Sequence, residues 1–371
     1  MPVDWSGVRA QFPALEKWTF LNTATYGQMP RRGVEAVARH FARRDELACY
    51  DHMAWYDDVD AIRASVARLI RCAPADIAFV PNASTALSLL LARIEWKPGD
   101  RIVTLEHEFP NHYYFPARLA AAGVEFVETP FEKLEAELAR GARLVMLSTV
   151  SYATGFRAPL ERISAWTRQR GILLYIDGTQ SAGALRFDAS AIRPSMFAVH
   201  AYKWLLSPNG AGFMYVAPDV REWLEPAVIG WRSDAGWRNP DCLHHGSPWL
   251  TPDAEKYEGG MLAFPSLYAM GAAVDMILEL GPAEVEARVL TLAAAASGIL
   301  ARHGGEALSR DSNIVTARFA GRDASVLASA LKDRRVLVAA RRGNLRVSPH
   351  LYNDESDLAR LDSALADILD A

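Results

Sequence analysis

The sequence predicts an α/β protein, with a three-layer large domain around a mostly parallel sheet and a smaller α+β domain at the C-terminal end. Three observations carry this. Short apolar runs recur at 77–80, 101–105, 124–127, 144–148, 172–176, 196–199 and 212–216. Stretches with helical spacing lie between several of them, and buried strands alternating with helices build βαβ units and a parallel sheet. Beyond about residue 265 the pattern changes to long helices with short strands.

The elements follow in chain order. Val8, Phe12 and Leu15 mark one face of a short N-terminal helix that either domain could hold; residues 1–20 are expected to pack with the small domain. Residues 21–265 make the large domain, whose helical stretches include 85–94, 116–122 and 159–170. The small domain, 266–371, opens with helices at 267–280 and 282–303. A strand at 313–319, a helix at 324–332 and short strands at 335–338 and 345–348 come next. Leu358, Leu361, Leu365 and Ile368 give the last helix a single apolar face. No repeat or low-complexity linker interrupts the pattern.

Composition narrows the function. Hydrophobic residues are 50% and charged residues 23% of the 371, as in ordinary globular chains. A chain this long buries roughly 75% of its unfolded surface without help from a metal or disulfide. Lys and Arg number 40 against 44 Asp and Glu, a formal charge of −4. That balance provides no broad basic field for nucleic acid or anionic lipid. Arg334, Arg335, Arg341, Arg342 and Arg346 do cluster near the C-terminus, where solvated surface charge is the ordinary explanation. Cys49, Cys72 and Cys242 are few, odd in number and without a CxxC pair. Neither a disulfide framework nor a zinc ribbon is expected, and a reducing cytoplasm fits best. The N-terminus, with an early Asp4 and no apolar core, does not read as a signal peptide. The uncharged stretch 259–274 falls short of the ~20 apolar residues of a membrane span.

In an open parallel sheet, ligands sit at the carboxyl ends of the strands. Four such ends are chemically loaded: Asn82-Ala83-Ser84-Thr85, Glu106 to Asn111, Asp177-Gly178-Thr179-Gln180, and His200 to Trp204. Asp177 ends an apolar strand and precedes a glycine turn, where an aspartate also serves as a helix cap. Lys203 follows another apolar strand and stands between Tyr202 and Trp204. Lysine is rarely buried without reason, although a lysine among rings often lays its stem along the surface. Together the two residues match one chemistry. Pyridoxal 5′-phosphate (PLP) needs a lysine amine to hold its aldehyde as a Schiff base, and an acid to keep the pyridine nitrogen protonated, so that the ring becomes an electron sink. Rings around Lys203 disfavour its ammonium and free the amine to attack. Ser84, where strand turns into helix, offers a hydroxyl and a backbone N–H to a phosphate. A plain serine cap uses the same geometry.

At this point the sequence resembles the class V aminotransferase family of fold-type I PLP enzymes, from about Phe20 to Leu361. The resemblance rests on an ordered set: Leu21 to Gly27, Asn82 to Ala86, Ser148 to Gly155, Asp177 to Gly183, Tyr202-Lys203-Trp204, and Arg346 to Asn353. It implies that Lys203 forms the aldimine, that Asp177 partners the pyridine nitrogen, and that Gln180 donates to the ring hydroxyl oxygen. Ala83 and Ser84 match the phosphate-binding turn, with Tyr202 and His200 helping to hold that phosphate. Arg346 matches the arginine for the substrate carboxylate, a role its planar fork suits. Phe109 in Phe109-Pro110-Asn111 looks like a kynureninase phenylalanine set against the cofactor, while His107 is the competing residue for that face. Trp231 is similar to a kynureninase tryptophan that reaches the phosphate, or else is a core or interface ring. Tyr26, Tyr152 and His112 are candidates for the substrate side. The resemblance also implies an amino acid substrate and a homodimer with a shared active site. Met261 stands where many relatives have a threonine reaching the neighbouring subunit's phosphate; it offers no such donor.

Other chemistries fail on the residues. His107-Glu108-Phe109-Pro110-Asn111-His112 spaces its histidines one residue too far apart for HExxH, and Pro110 breaks the helix that motif needs. His244-His245 has no partners at metal-ligand spacing, so no metal is expected. No Gly-x-Gly-x-x-Gly follows a strand and no P-loop occurs. No cysteine follows Cys242, so a persulfide cannot form on a late loop as a desulfurase requires. A class V aminotransferase is therefore the expected function; a kynureninase-like hydrolase, C–S lyase or epimerase, and more remotely a non-catalytic binding module, use the same fold.

Overall fold

The computed structural model describes residues 3–239, 241, 246–309 and 311–370; Cys242, His244 and His245 lie outside them. Strand β1 (Thr19–Phe20) precedes seven strands of one sheet. These are β2 (Ile77–Val80), β3 (Arg101–Leu105), β4 (Glu125–Thr129), β5 (Leu144–Ser148), β6 (Leu173–Asp177), β7 (Met196–His200) and β8 (Gly212–Val216). Every residue of β2, β3, β5 and β8 is buried, because runs apolar on both faces suit only a sheet covered on both sides. Half-exposed β4 is one edge strand, and β2 is the other.

The sheet order is β2-β8-β7-β6-β5-β3-β4. Strand β8 runs antiparallel to both neighbours, and the remaining pairs are parallel. One reversed strand therefore leaves the carboxyl ends of the other six on a single edge, which is where the predicted residues gather.

The second sheet is antiparallel, in the order β12 (Ala339–Arg341), β13 (Asn344–Val347), β10 (Val315–Phe319), β9 (Gly305–Ala307). Strand β11 (Val336–Leu337) pairs in parallel with β1. The apolar face predicted for the last helix is real: Leu358, Leu361 and Leu365 of Glu355–Leu369 are buried in the second core.

Three boundaries differ from expectation. The helix expected at 116–122 starts at Asn111 and carries Pro116 inside it, so the proline does not mark the start. Helix Phe264–Leu280 buries Phe264, Leu267, Met270, Val274 and Ile277 in the large core. The two cores divide inside the helix Pro282–Arg302, with Val289 in one and Leu292 in the other. The N-terminal Val8, Phe12 and Leu15 join the large core, yet Arg9 binds Asp357 of the last helix at 2.6 Å and β1 pairs with β11. The segment thus bridges both parts.

A buried ionic knot ties the segment after β8 to the sheet. Glu258 accepts from Arg63 at 2.6 Å, from Arg232 at 2.8 Å and from the backbone N–H of Phe79 on β2 at 2.7 Å. Burial alone would push the Glu258 carboxyl up; the arginines and the Phe79 N–H reverse this and hold it below the usual range. Neutralising Glu258 leaves the buried guanidinium groups of Arg63 and Arg232 with only Glu255 and Asp60 as acids. Glu258→Gln is predicted to cost about 3–5 kcal/mol of unfolding free energy, read from denaturant titrations.

Candidate active site

Five strand ends build the pocket. Its cavity volume is about 100 Å³, and its lining includes Ala83, Ser84, Phe109, Asp177, His200 and Lys203. After β2, extended Asn82 caps the helix Ala83–Leu91, its side chain accepting from the Thr85 N–H at 2.8 Å. The N–H groups of Ala83 and Ser84 in that first turn have no acceptor among the described residues. They form a ready anion site at a helix N-terminus.

Asp177 closes β6, in register with Ser148 of β5 and Ala198 of β7. It is buried, and Oδ1 accepts the Thr179 N–H at 2.8 Å. Gln180, three residues on, is fixed at both ends of its amide. Nε2 donates to the Ala24 carbonyl at 3.1 Å, and Oε1 accepts from the Trp204 indole at 2.9 Å. One Nε2 hydrogen remains free to donate.

Lys203 follows β7 and is only 7% exposed. Its Nζ finds no hydrogen-bond acceptor among the described residues. Instead it lies 5.6 Å from the Phe109 ring centre and 5.4 Å from that of Tyr202. Burial drives its pKa down to about 8, against the pull of Asp177 and with help from Arg346 and Arg341. An amine so placed is a usable nucleophile and base near neutral pH. His200, half-buried with Nε2 unpartnered, is pushed to about 4 by burial and by Lys203, so it is neutral.

Two glycines let the chain close round this lysine. A Cβ on Gly27 would stand 1.9 Å from the Lys203 carbonyl oxygen, and one on Gly183 2.2 Å from that of Trp204. The Gly27 N–H donates to the Tyr202 carbonyl at 2.9 Å. That strap brings Tyr26 edge-on to Tyr202, with ring centres 5.1 Å apart.

Phe109 and Tyr152 both line the pocket, edge to face at 5.4 Å. Arg346 on β13 is 1% exposed. Its guanidinium donates to the Tyr152 carbonyl at 2.8 Å and to Thr25 Oγ1 at 2.5 Å, and Nε has no partner. Burial and Arg341 lower it to about 9.

Three expected residues fall elsewhere. His107, in a left-handed turn, points to Arg342, whose guanidinium meets Nδ1 at 3.2 Å, and the pocket wall is Phe109 instead. His112 is fully buried and cannot face a substrate; its Nδ1 lies 3.2 Å from Glu108. Burial would push the Glu108 carboxyl up and the His112 ring down, but their contact reverses both. Glu108 also accepts from the Ser148 N–H and hydroxyl, at 2.6 and 2.5 Å. Trp231 stands apart with Trp237 and Tyr56, at 5.4 and 6.1 Å. Conversely Asn111, Ser148 and Thr179 line the pocket without having been singled out. Their position directly after strand runs was the available signal. Among the described residues no cluster of His, Cys, Asp or Glu could hold a metal ion, and no helix is long and apolar enough to cross a membrane.

Residues 28–361 match the family model described as Aminotransferase class-V. The chain belongs to the class V aminotransferase family. PLP is the cofactor of that family. Isopenicillin N epimerase of Streptomyces clavuligerus is 29% identical over an alignment of 397 positions, covering 99% of this chain and 98% of the relative. An uncharacterized aminotransferase of Bacillus subtilis (strain 168), YcbU, is 25% identical over 360 residues, 94% of each chain. Among solved structures, a mutant of C-DES with glycine covalently linked to its PLP cofactor superposes with a TM-score of 0.88. It is 23% identical, over 97% of this chain and 99% of that one, and it shows that the fold is shared.

The residues fit the family's cofactor on the chain's own geometry: an unpaired buried amine, a carboxylate across the sheet edge, and unclaimed N–H groups at a helix start. Gly27→Ala is predicted to destabilise the protein by about 1–3 kcal/mol through overpacking. Because the clash falls on the lysine's own carbonyl, PLP retention on gel filtration should drop as well, which thermal melts and absorbance together will report.

Proposed function

We propose that this protein is a PLP-dependent enzyme acting on an amino acid, and that its reaction is transamination. The single observation carrying the reading is the Lys203 amine, buried, unpaired and lowered to about 8. Lys203 would hold PLP covalently, Asp177 would keep the ring nitrogen protonated, and the free Gln180 hydrogen would reach the ring hydroxyl. The first-turn N–H groups of Ala83 and Ser84 would take the phosphate, with Tyr202 and neutral His200 beside it. Phe109 would cover the ring and exclude water. When bound, PLP supplies an electron sink for charge developing at the substrate Cα.

The chain's own groups do the rest. The Arg346 fork exchanges neutral acceptors for the substrate carboxylate, a charge-assisted and therefore stronger bond. Tyr152 lines the pocket, and Tyr26 would approach the substrate from beside Tyr202. Once released from the cofactor, the Lys203 Nζ would be the base positioned to take the substrate Cα proton, and the same amine would return it. A second reading, epimerisation, is favoured by the kinship with isopenicillin N epimerase. A second copy of the chain belongs to the proposal, covering Val228, Ile229 and Met261, which are 53, 56 and 67% exposed.

Lys203→Ala is predicted to abolish turnover with the fold intact; ordinary activity in that variant would end the assignment. Uptake of PLP by the apoprotein should speed up as pH rises through about 8, because the free amine attacks and the ammonium does not. In deuterated water, transamination yields a keto acid and a bleached cofactor band restored by keto acid. Epimerisation yields labelled amino acid of inverted configuration and no keto acid.

A further inference from the structure

Arg341 and Arg346 leave one hairpin, on the paired strands β12 and β13. Their NH2 groups converge on a single oxygen, Thr25 Oγ1, at 3.1 and 2.5 Å. Both lone pairs of that hydroxyl are then occupied. The remaining bonds go to neutral carbonyls, Ala340 for Arg341 and Tyr152 for Arg346. Among the described residues neither guanidinium has a carboxylate partner. Arg341 is half-buried and Arg346 buried, whereas the other buried arginines among the described residues, Arg63, Arg101 and Arg232, all sit on an acid. Two cations sharing one neutral hydroxyl repel each other, and no carboxylate among the described residues pairs with either. The charge of Arg341 also reaches inward, lowering the proton affinity of both Arg346 and Lys203.

The α-carboxylate of an amino acid offsets one of these charges. We propose that the substrate carries a second carboxylate on its side chain, and that Arg341, held beside Arg346 on Thr25, receives it. This rests on the pocket reading above, with Arg346 as the α-carboxylate site. It selects dicarboxylic amino acids over neutral ones of the same length. The competing arrangement, both arginines on one carboxylate, makes no such selection.

The holoenzyme and its Arg341→Gln variant test the choice. Calorimetry with glutarate and valerate, which cannot react, gives a readout separate from catalysis, and kcat/KM for glutamate and glutamine gives the second. Wild-type protein should bind glutarate at least tenfold tighter than valerate and should prefer glutamate. The Arg341→Gln variant should lower the glutamate-to-glutamine ratio at least tenfold, and Arg341→Lys should restore part of it. Equal binding of glutarate and valerate by the wild type, or a ratio that Arg341→Gln leaves unaltered, overturns the proposal. A holoenzyme whose cofactor band responds to neutral but not dicarboxylic amino acids overturns this proposal alone. A band that responds to no amino acid brings down the pocket reading, and this one with it.

Discussion

An ammonium is costly where Lys203 sits. The side chain is almost wholly buried, rings lie on two sides, and no acceptor among the described residues reaches Nζ. In a protein interior such a group lowers its pKa rather than carry an unpaired charge. Much of the surrounding structure serves to keep it there. Gly27 and Gly183 allow two backbone segments to close on its turn. Gln180 pins Trp204 on one side and Ala24 on the other. His350, accepting from the Leu351 N–H and meeting the Trp204 carbonyl at 2.9 Å, ties the C-terminal region to the same turn.

The chain handles buried charge in two distinct ways, and the contrast separates scaffold from site. Around Glu258 every charge is matched, which fixes the segment beyond β8 against β2. Round the pocket, neither Lys203 nor Arg346 is paired with a carboxylate in direct contact among the described residues. Uncompensated buried cations cost stability unless a ligand supplies the opposite charge. A pocket with a buried amine and free helix N–H groups suits an anionic ligand with a reactive carbonyl, as the family's cofactor is.

The large sheet was legible because most of its strands are buried, largely apolar runs, and chemically loaded residues directly follow them. Asp177, Lys203, Ser84 and Gln180 meet in one pocket for that reason: one reversed strand aligns the ends. What sequence pattern missed depends on contacts remote in the chain. His112 looks like a free polar residue, yet it is buried against Glu108, whose other partner, Ser148, lies 40 residues away. Phe109 and His107 are two residues apart, and a left-handed turn at His107 sends them to different places. The helix Phe264–Leu280 has the same apolar pattern whichever core receives it. Thr25, the hydroxyl shared by Arg341 and Arg346, carries no local signal at all.

The central claim is that Lys203, and no other lysine, carries the cofactor. Incubation of the protein with PLP, borohydride reduction to fix the linkage, digestion and mass spectrometry of the peptides test it directly. The account predicts a yellow protein and a single modified peptide, with the pyridoxyl group on Lys203. Stoichiometric modification at another lysine, or a protein that takes up no PLP, would contradict it.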